Sequence, residues 1–183
     1  MGASEQATEG VSAARKVHGI LCAAAVFVLA LVAGCTSLGD TFNVTPFLRE
    51  QITGDTWRAC LAREYQVQTR AVLREGRDWG EASRFSDKGW AALHGETVVA
   101  WHAADLDLEG ERKVQLEAAR GDLDAALARR EAAPCSCAKA QASYDGWLAA
   151  TARVGGNQQM TQANFANALM VCRNAQPPRV EAH

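Results

Sequence analysis

The cysteines carry the most informative chemistry in this chain of 183 residues. Cys35 directly follows Ala33 and Gly34, at the end of an uncharged and largely apolar stretch. Small residues let the peptide backbone enter a peptidase site, and a thiol can accept a diacylglyceryl group through a thioether. The pattern over residues 31–35 therefore predicts cleavage before Cys35 and lipidation of Cys35.

The stretch before the lipidation motif is typical of a signal peptide. Arg15 and Lys16 supply the positive flank, and the apolar core over residues 20–33 is shorter than the ~20 residues of a membrane-spanning helix. An uncleaved anchor is the alternative, since apolar residues just before the core lengthen it. Thr36 stands where an aspartate would favour the inner membrane. We therefore expect a lipoprotein on the periplasmic side of the outer membrane, with the inner membrane as the alternative.

Four cysteines follow in the part that remains after cleavage: Cys60, Cys135, Cys137 and Cys172. An even number of cysteines in an exported protein indicates two disulfides. Helical positions two apart point about 200° away from each other, which disfavours a bridge between Cys135 and Cys137. We predict a Cys60–Cys172 bridge between the first and last helices, and the partners of Cys135 and Cys137 stay open.

Metal binding is a second interpretation of Cys135-Ser136-Cys137, because paired thiolates bind soft metals. A zinc site needs four ligands, however, and no histidine lies within ten residues of this pair. His94 and His102 flank a long connection, and an isolated histidine is more often a surface residue than a ligand. We predict disulfide cysteines, no metal site and no cofactor.

An alternating run of acidic residues also resembles a metal site: Asp105, Asp107, Glu109 and Glu111. The calcium loop of an EF-hand needs a central glycine and a terminal glutamate at fixed offsets, and this run has neither. Acidic residues before a helix also complement its positive N-terminal end, which is the interpretation we favour.

Catalytic motifs are missing from the chain. It contains no G-x-S-x-G elbow, no H-E-x-x-H and no glycine-rich phosphate loop. The net charge is −2, and no basic patch points to nucleic acid. We therefore predict that the protein is not an enzyme and does not bind nucleic acid.

The pattern of apolar residues predicts an all-α fold, a compact bundle of about five helices after the cleaved signal peptide. The predicted parts are a signal peptide (1–34), a lipidated tether (35–45), a helical domain (46–175) and a tail (176–183). The part after cleavage has about 150 residues, which is enough to bury a core. The five tryptophans are predicted to be core residues: Trp57, Trp79, Trp90, Trp101 and Trp147.

Capping residues and glycines set the expected bounds of the helices. The first begins at Pro46 with Thr45 as its cap, is interrupted near Gly54, and ends at Gly76. The second runs from Asp78, which forms a capping box with Glu81, to Gly95. An extended loop over residues 96–110 is expected to lie on the core.

Three further helices complete the prediction. One spans residues 111–131, and one begins at Pro134 and ends at Gly155-Gly156. The last begins at Thr161, with Met160 and Phe165 forming a hydrophobic staple, and ends before Pro177-Pro178.

Several residues, in this order and spacing, resemble a known family. The first set is Tyr65, Asp78, Trp79, Ala82, Phe85, Asp87, Lys88 and Gly95; the others are residues 116–120 with Leu123, Ala126 and Leu127, and residues 140–147. Over roughly residues 61–169 the chain resembles the helical region of proteobacterial OmpA-family envelope lipoproteins. That region precedes a C-terminal peptidoglycan-binding domain in the family, and we expect no such domain before His183.

The resemblance implies a helical fold and a location in the cell envelope. The family tends to have a cysteine where this chain has Gly146, so its disulfide arrangement is not expected here. Together with the lipidation motif, the resemblance predicts a membrane-anchored structural or interaction module with an envelope protein as partner. The alternative is a small-ligand or metal-binding lipoprotein that uses Cys135 and Cys137.

Overall fold

The structure is a computed structural model, and it describes residues 43–76, 79–106, 108–153 and 155–175. The described residues belong to one compact unit. They are 78% helical and contain no strand, which confirms the predicted all-α bundle.

Six α-helices follow one another along the described chain: α1 (43–49), α2 (Trp57–Arg74), α3 (Trp79–Leu93), α4 (Gly110–Leu127), α5 (Pro134–Thr151) and α6 (Gln158–Asn174). Two short 3₁₀ turns, Ala103–Leu106 and Arg130–Ala132, precede α4 and α5. The prediction joined α1 to α2 as one interrupted helix. The structure separates them by a non-helical connection over residues 50–56.

The helix ends show where local capping was predicted correctly. Gly76 and Gly95 adopt φ values of 65° and 85°, a left-handed conformation that costs glycine little, and they follow α2 and α3. After α3, Gly95 N donates to Ala92 O and Glu96 N donates to Ala91 O, as in a Schellman motif. Pro134 begins α5 as predicted.

Two predicted starts are wrong. Thr45 lies inside α1 and is not a cap, whereas Thr56 caps α2 by accepting a hydrogen bond from Ala59 N at 3.3 Å. Asn157 caps α6 by accepting from Met160 N at 3.1 Å, so α6 begins before Thr161 and the predicted staple is wrong. Asn157 lies one turn before Thr161, and asparagine is a favoured N-cap residue. In the structure Asn157, and not Thr161, accepts from an otherwise unpaired backbone N–H group at the start of α6.

Helix α5 lies at the centre of the bundle. It packs against α2 on one side and against α4 and α6 on the other, and it contributes to both hydrophobic clusters. Small side chains such as Ala138, Ala140 and Ala142 are fully buried in it and allow neighbouring helices to approach closely.

The tryptophans are less uniformly buried than the sequence predicts. Trp147 of α5 is buried, and Trp57, Trp90 and Trp101 are partly buried. Trp79 is 45% exposed at the first residue of α3, so its predicted place in the core is wrong.

A close approach between α1 and α3 depends on Gly89. A Cβ atom built at Gly89 would lie 1.9 Å from Cζ of Phe47, whose side chain is fully buried against Trp90. We expect Gly89→Ala to lower the free energy of unfolding by about 1–3 kcal/mol, because the Phe47 ring has to move.

Gly121 of α4 is the matched control, because its added Cβ meets no atom within 4 Å. Gly121→Ala should stabilise the domain by up to about 1 kcal/mol through helix propensity. Urea unfolding of both variants measures the difference. Equal shifts in the two variants would show that the contact with Phe47 does not constrain residue 89.

Candidate functional site

Both pairs of downstream cysteines are bridged in the structure. Cys60 of α2 pairs with Cys135, and Cys137 pairs with Cys172 of α6. Two disulfides are therefore confirmed, but the predicted Cys60–Cys172 bridge is wrong. The physical reason is that α5 lies between α2 and α6. Positions 135 and 137 point to opposite faces of α5, so each reaches a different neighbouring helix.

One group of potential metal ligands occurs among the described residues, and it consists of Asp55, Cys60 and Cys135. One ligand atom each from Asp55, Cys60 and Cys135 lies within 4.8 Å of the others. Both sulfurs belong to a disulfide, and the Arg63 guanidinium lies 3.3 Å from the Asp55 carboxylate and 3.3 Å from Cys60 Sγ. The disulfides leave Cys135 and Cys137 no thiolate, and a cationic side chain already occupies this place.

The histidines and acidic residues have local roles. His94 stacks on Trp90 with ring centroids 5.6 Å apart, and His102 N donates to the Asp105 carboxylate at 3.0 Å. Neither histidine belongs to a ligand group in the described part of the chain. Asp107 and the Asp78 cap lie outside the described residues.

Cys35 and the whole predicted signal peptide also lie outside the described residues, as do the tail over residues 176–183 and most of the predicted tether. Across the ranges that the structure covers, no helix is both long enough and apolar enough to cross a membrane.

The most distinctive arrangement surrounds Asp145, a fully buried carboxylate in the middle of α5. It accepts three hydrogen bonds: from Tyr65 OH of α2 at 2.7 Å, Lys88 Nζ of α3 at 2.5 Å, and the backbone N–H of Trp101 at 2.8 Å. One side chain thus joins three helices to the connection that follows α3.

The charges in this arrangement are desolvated. The Lys88 ammonium lies over the Trp101 ring at 4.5 Å and over the Tyr65 ring at 5.5 Å. Burial lowers the pKa of Lys88, and the neighbouring Asp145 opposes that shift. Burial, followed by the charge of Asp145, raises the pKa of Tyr65 well above its usual value. The three hydrogen bonds of Asp145 connect α2, α3 and the residue Trp101 to α5, and we call this arrangement the clamp.

Lys88 and Asp145 belong to the residues that carry the family resemblance, which predicts no role for either. A signal was present, because Asp145 lies between Tyr144 and Trp147 on an alanine-rich helix that has few charges. Aspartate is rarely buried unless it is paired. The position of Asp145 therefore indicates that a partner is buried beside it, but not which residue that partner is.

The clamp and two further side chains hold residues 97–101, which we call the extended segment. Gln141 Nε2 donates to Val98 O at 3.1 Å, and Arg120 donates to Ala100 O at 2.6 Å and to Trp101 O at 2.9 Å. Arg120 is itself buried in α4. The predicted loop on the core is therefore confirmed for this segment.

Side chains of the extended segment alternate between protein and solvent. Val98 and Ala100 face the core, whereas Thr97 and Val99 are exposed, Val99 to 57%. The backbone N–H and C=O groups of Thr97 and Val99 have no hydrogen-bond partner among the described residues. We call these four groups the free edge. It borders a groove of about 430 Å³ between the extended segment and α3.

A larger groove of about 720 Å³ lies between α2, α5 and α6. Its walls include the polar side chains of Gln68, Ser143 and Asn164, and the exposed apolar side chains of Val67 and Val171 also line it. Burial raises the pKa of Glu64 in one wall, and Lys139 opposes the shift.

None of the protein-family models, curated proteins or solved structures compared with this chain matches it. The resemblance to OmpA-family envelope lipoproteins therefore stays a prediction.

Proposed function

We propose that this chain is a lipid-anchored protein on the periplasmic side of the outer membrane, where it serves as a structural or interaction module of the cell envelope. The observation that carries the proposal is Ala33-Gly34-Cys35 directly after an apolar stretch with a positive flank. Acyl chains on one cysteine contribute about 0.8 kcal/mol for each buried CH₂ group, so two or more chains hold a protein on a membrane durably.

The disulfides support the exported location. Structural disulfides form and persist in oxidising compartments such as the periplasm and are rare in the cytosol. Here they involve all four cysteines of the described residues, Cys60 with Cys135 and Cys137 with Cys172.

The interaction role is supported by the way the extended segment is presented. Gln141, Arg120 and Asp145 fix its inner side, and its outer backbone groups stay available to a partner. The family resemblance points in the same direction, since the helical region of OmpA-family lipoproteins belongs to envelope proteins.

We expect the wild-type chain to begin at Cys35 and to carry acyl groups there, and Cys35→Ser to carry none, because a serine hydroxyl cannot form the thioether. Cys22→Ser is the matched control: Cys22 lies in the same apolar stretch but follows Ile20-Leu21, which lack the small side chains of the motif. Fractionation of cells expressing the full chain, with intact-mass analysis for the acyl groups, measures both variants.

A wild-type protein that carries no acyl group and still contains residues 20–33 would contradict lipidation and would identify residues 20–33 as an uncleaved anchor. Crosslinking in cells tests the interaction role. The wild-type protein should recover envelope proteins that the unlipidated Cys35→Ser protein recovers at least severalfold less, and equal recovery would contradict a role that depends on lipidation.

A further inference from the structure

We propose that the free edge binds an extended peptide of a protein partner, which adds to the extended segment as a β-strand and carries basic side chains. The proposal rests on the interaction role proposed above and names the chemistry of its partner. It depends on the backbone of Thr97 and Val99, on how that backbone is held, and on the charges beside it.

The backbone geometry makes one side of the extended segment available. In an extended chain, the N–H and C=O of one residue point to the same edge, and successive residues alternate between edges. Val98 O and Ala100 O, two residues apart, accept from Gln141 and Arg120 on the inner edge. Thr97 and Val99 therefore present their N–H and C=O groups on the opposite edge, where they have no hydrogen-bond partner among the described residues. The alternation ends at Trp101, whose N–H donates to Asp145 and whose C=O accepts from Arg120, so the available edge spans only residues 97–99.

An unpaired extended edge is a template for another strand. Proteins that bind peptides by strand addition obtain affinity from such backbone groups and specificity from alternate side chains. A residue that pairs with Val99 can exchange two backbone hydrogen bonds with it, and the exposed Val99 side chain offers an apolar contact beside them.

The segment is already ordered before any partner arrives. Trp101 N donates to the buried Asp145 at one end, and Glu96 N donates to Ala91 O at the other. Because both ends are fixed, binding of a partner strand does not have to order this segment, and the entropic cost of binding is smaller.

The charges along the groove select a basic partner. Glu96 and Asp105 border the groove and are exposed. Asp87 also lines it, and its carboxylate accepts a hydrogen bond from Asn43. Lys88, the one lysine or arginine beside them in the groove, is paired with Asp145 at 2.5 Å. Complementary charge favours an extended segment with lysine or arginine side chains and disfavours an acidic one.

The test uses the purified full chain in a neutral detergent. The probe is a fluorescent seven-residue peptide of alternating lysine and valine, and the comparison peptide replaces each lysine with glutamate. We expect the lysine peptide to bind at least tenfold more tightly than the glutamate peptide in fluorescence anisotropy. Equal binding would overturn the inferred charge preference, and no binding of the lysine peptide at millimolar concentration would overturn the site.

Proline substitution tests the backbone directly. Val99→Pro removes an N–H group of the free edge that has no partner among the described residues, and we expect at least a tenfold loss of affinity. Thr53→Pro is the matched control, because Thr53 is exposed in the α1–α2 connection, its backbone has no hydrogen-bond partner among the described residues, and it does not line the groove. Unchanged affinity in Val99→Pro would overturn strand addition.

Amide hydrogen exchange on the unmutated protein keeps the test independent of folding defects in the variants. The lysine peptide should protect the amides of Thr97 and Val99, whereas protection confined to residues of the α2–α5–α6 groove would place the peptide elsewhere and overturn the proposal. These measurements use purified protein, so their outcome does not depend on lipidation in cells. A failure of peptide binding and a failure of the Cys35 experiment can therefore be told apart.

Discussion

Asp145→Asn should lower the free energy of unfolding by about 3–5 kcal/mol, because it leaves the ammonium of Lys88 unpaired in the protein interior. Asp145 is fully buried and its carboxylate accepts from Lys88, Tyr65 and Trp101 N. An amide of the same shape carries no charge and cannot accept all three bonds. Urea unfolding of the purified variant measures the loss.

Two controls isolate the charge. Asp122→Asn is the same substitution in the exposed pair with Arg173, where N···O is 2.7 Å, and should cost less than about 1 kcal/mol. Lys88→Met combined with Asp145→Asn should recover part of the loss, because it removes the stranded ammonium. A loss below 1 kcal/mol in Asp145→Asn alone would show that the clamp is not a source of stability.

Reduction of both disulfides should unfold most of the domain at 37 °C. The bridges close loops of 75 and 35 residues, and the loop-entropy model assigns about 4 kcal/mol to each. Losing both is comparable to the whole stability of a typical domain, about 5–15 kcal/mol. Circular dichroism with and without a phosphine reductant measures the change, and a melting temperature that does not move would contradict the prediction.

The pairing itself can be tested by counting thiols in chains that also carry Cys22→Ser and Cys35→Ser. Cys60→Ala with Cys135→Ala removes one complete bridge and should leave no free thiol. Cys60→Ala with Cys172→Ala breaks both bridges and should leave two free thiols. Two free thiols in the first variant and none in the second would instead support the Cys60–Cys172 pairing predicted from sequence.

The fold class and several helix ends could be predicted because they depend on local information. Pro134 starts α5 since its missing N–H is not needed there, and Gly95 ends α3 since it can adopt a positive φ. The interruption between α1 and α2 was predicted near Gly54, but the length of the non-helical connection over residues 50–56 was not, because the apolar spacing continues from Phe47 to Trp57.

The clamp and the disulfide pairing could not be predicted, because they depend on which helices are neighbours. Lys88 and Asp145 are 57 residues apart, and periodicity along one helix contains no information on its partner across the bundle. Likewise, the opposite directions of Cys135 and Cys137 exclude a bridge between them, but only the central position of α5 decides where each one bonds.

The two bridges also determine how the domain responds to tension between its ends. A force applied at residues 43 and 175 follows the covalent path from residue 43 to Cys60, across α5 through Cys135 and Cys137, and from Cys172 to residue 175. At ~3.5 Å per extended residue this path reaches only about 80 Å, whereas the same span without bridges would reach more than about 400 Å. The two bridges would therefore prevent the segments between the bridged cysteines, which make up most of the domain, from lengthening under tension.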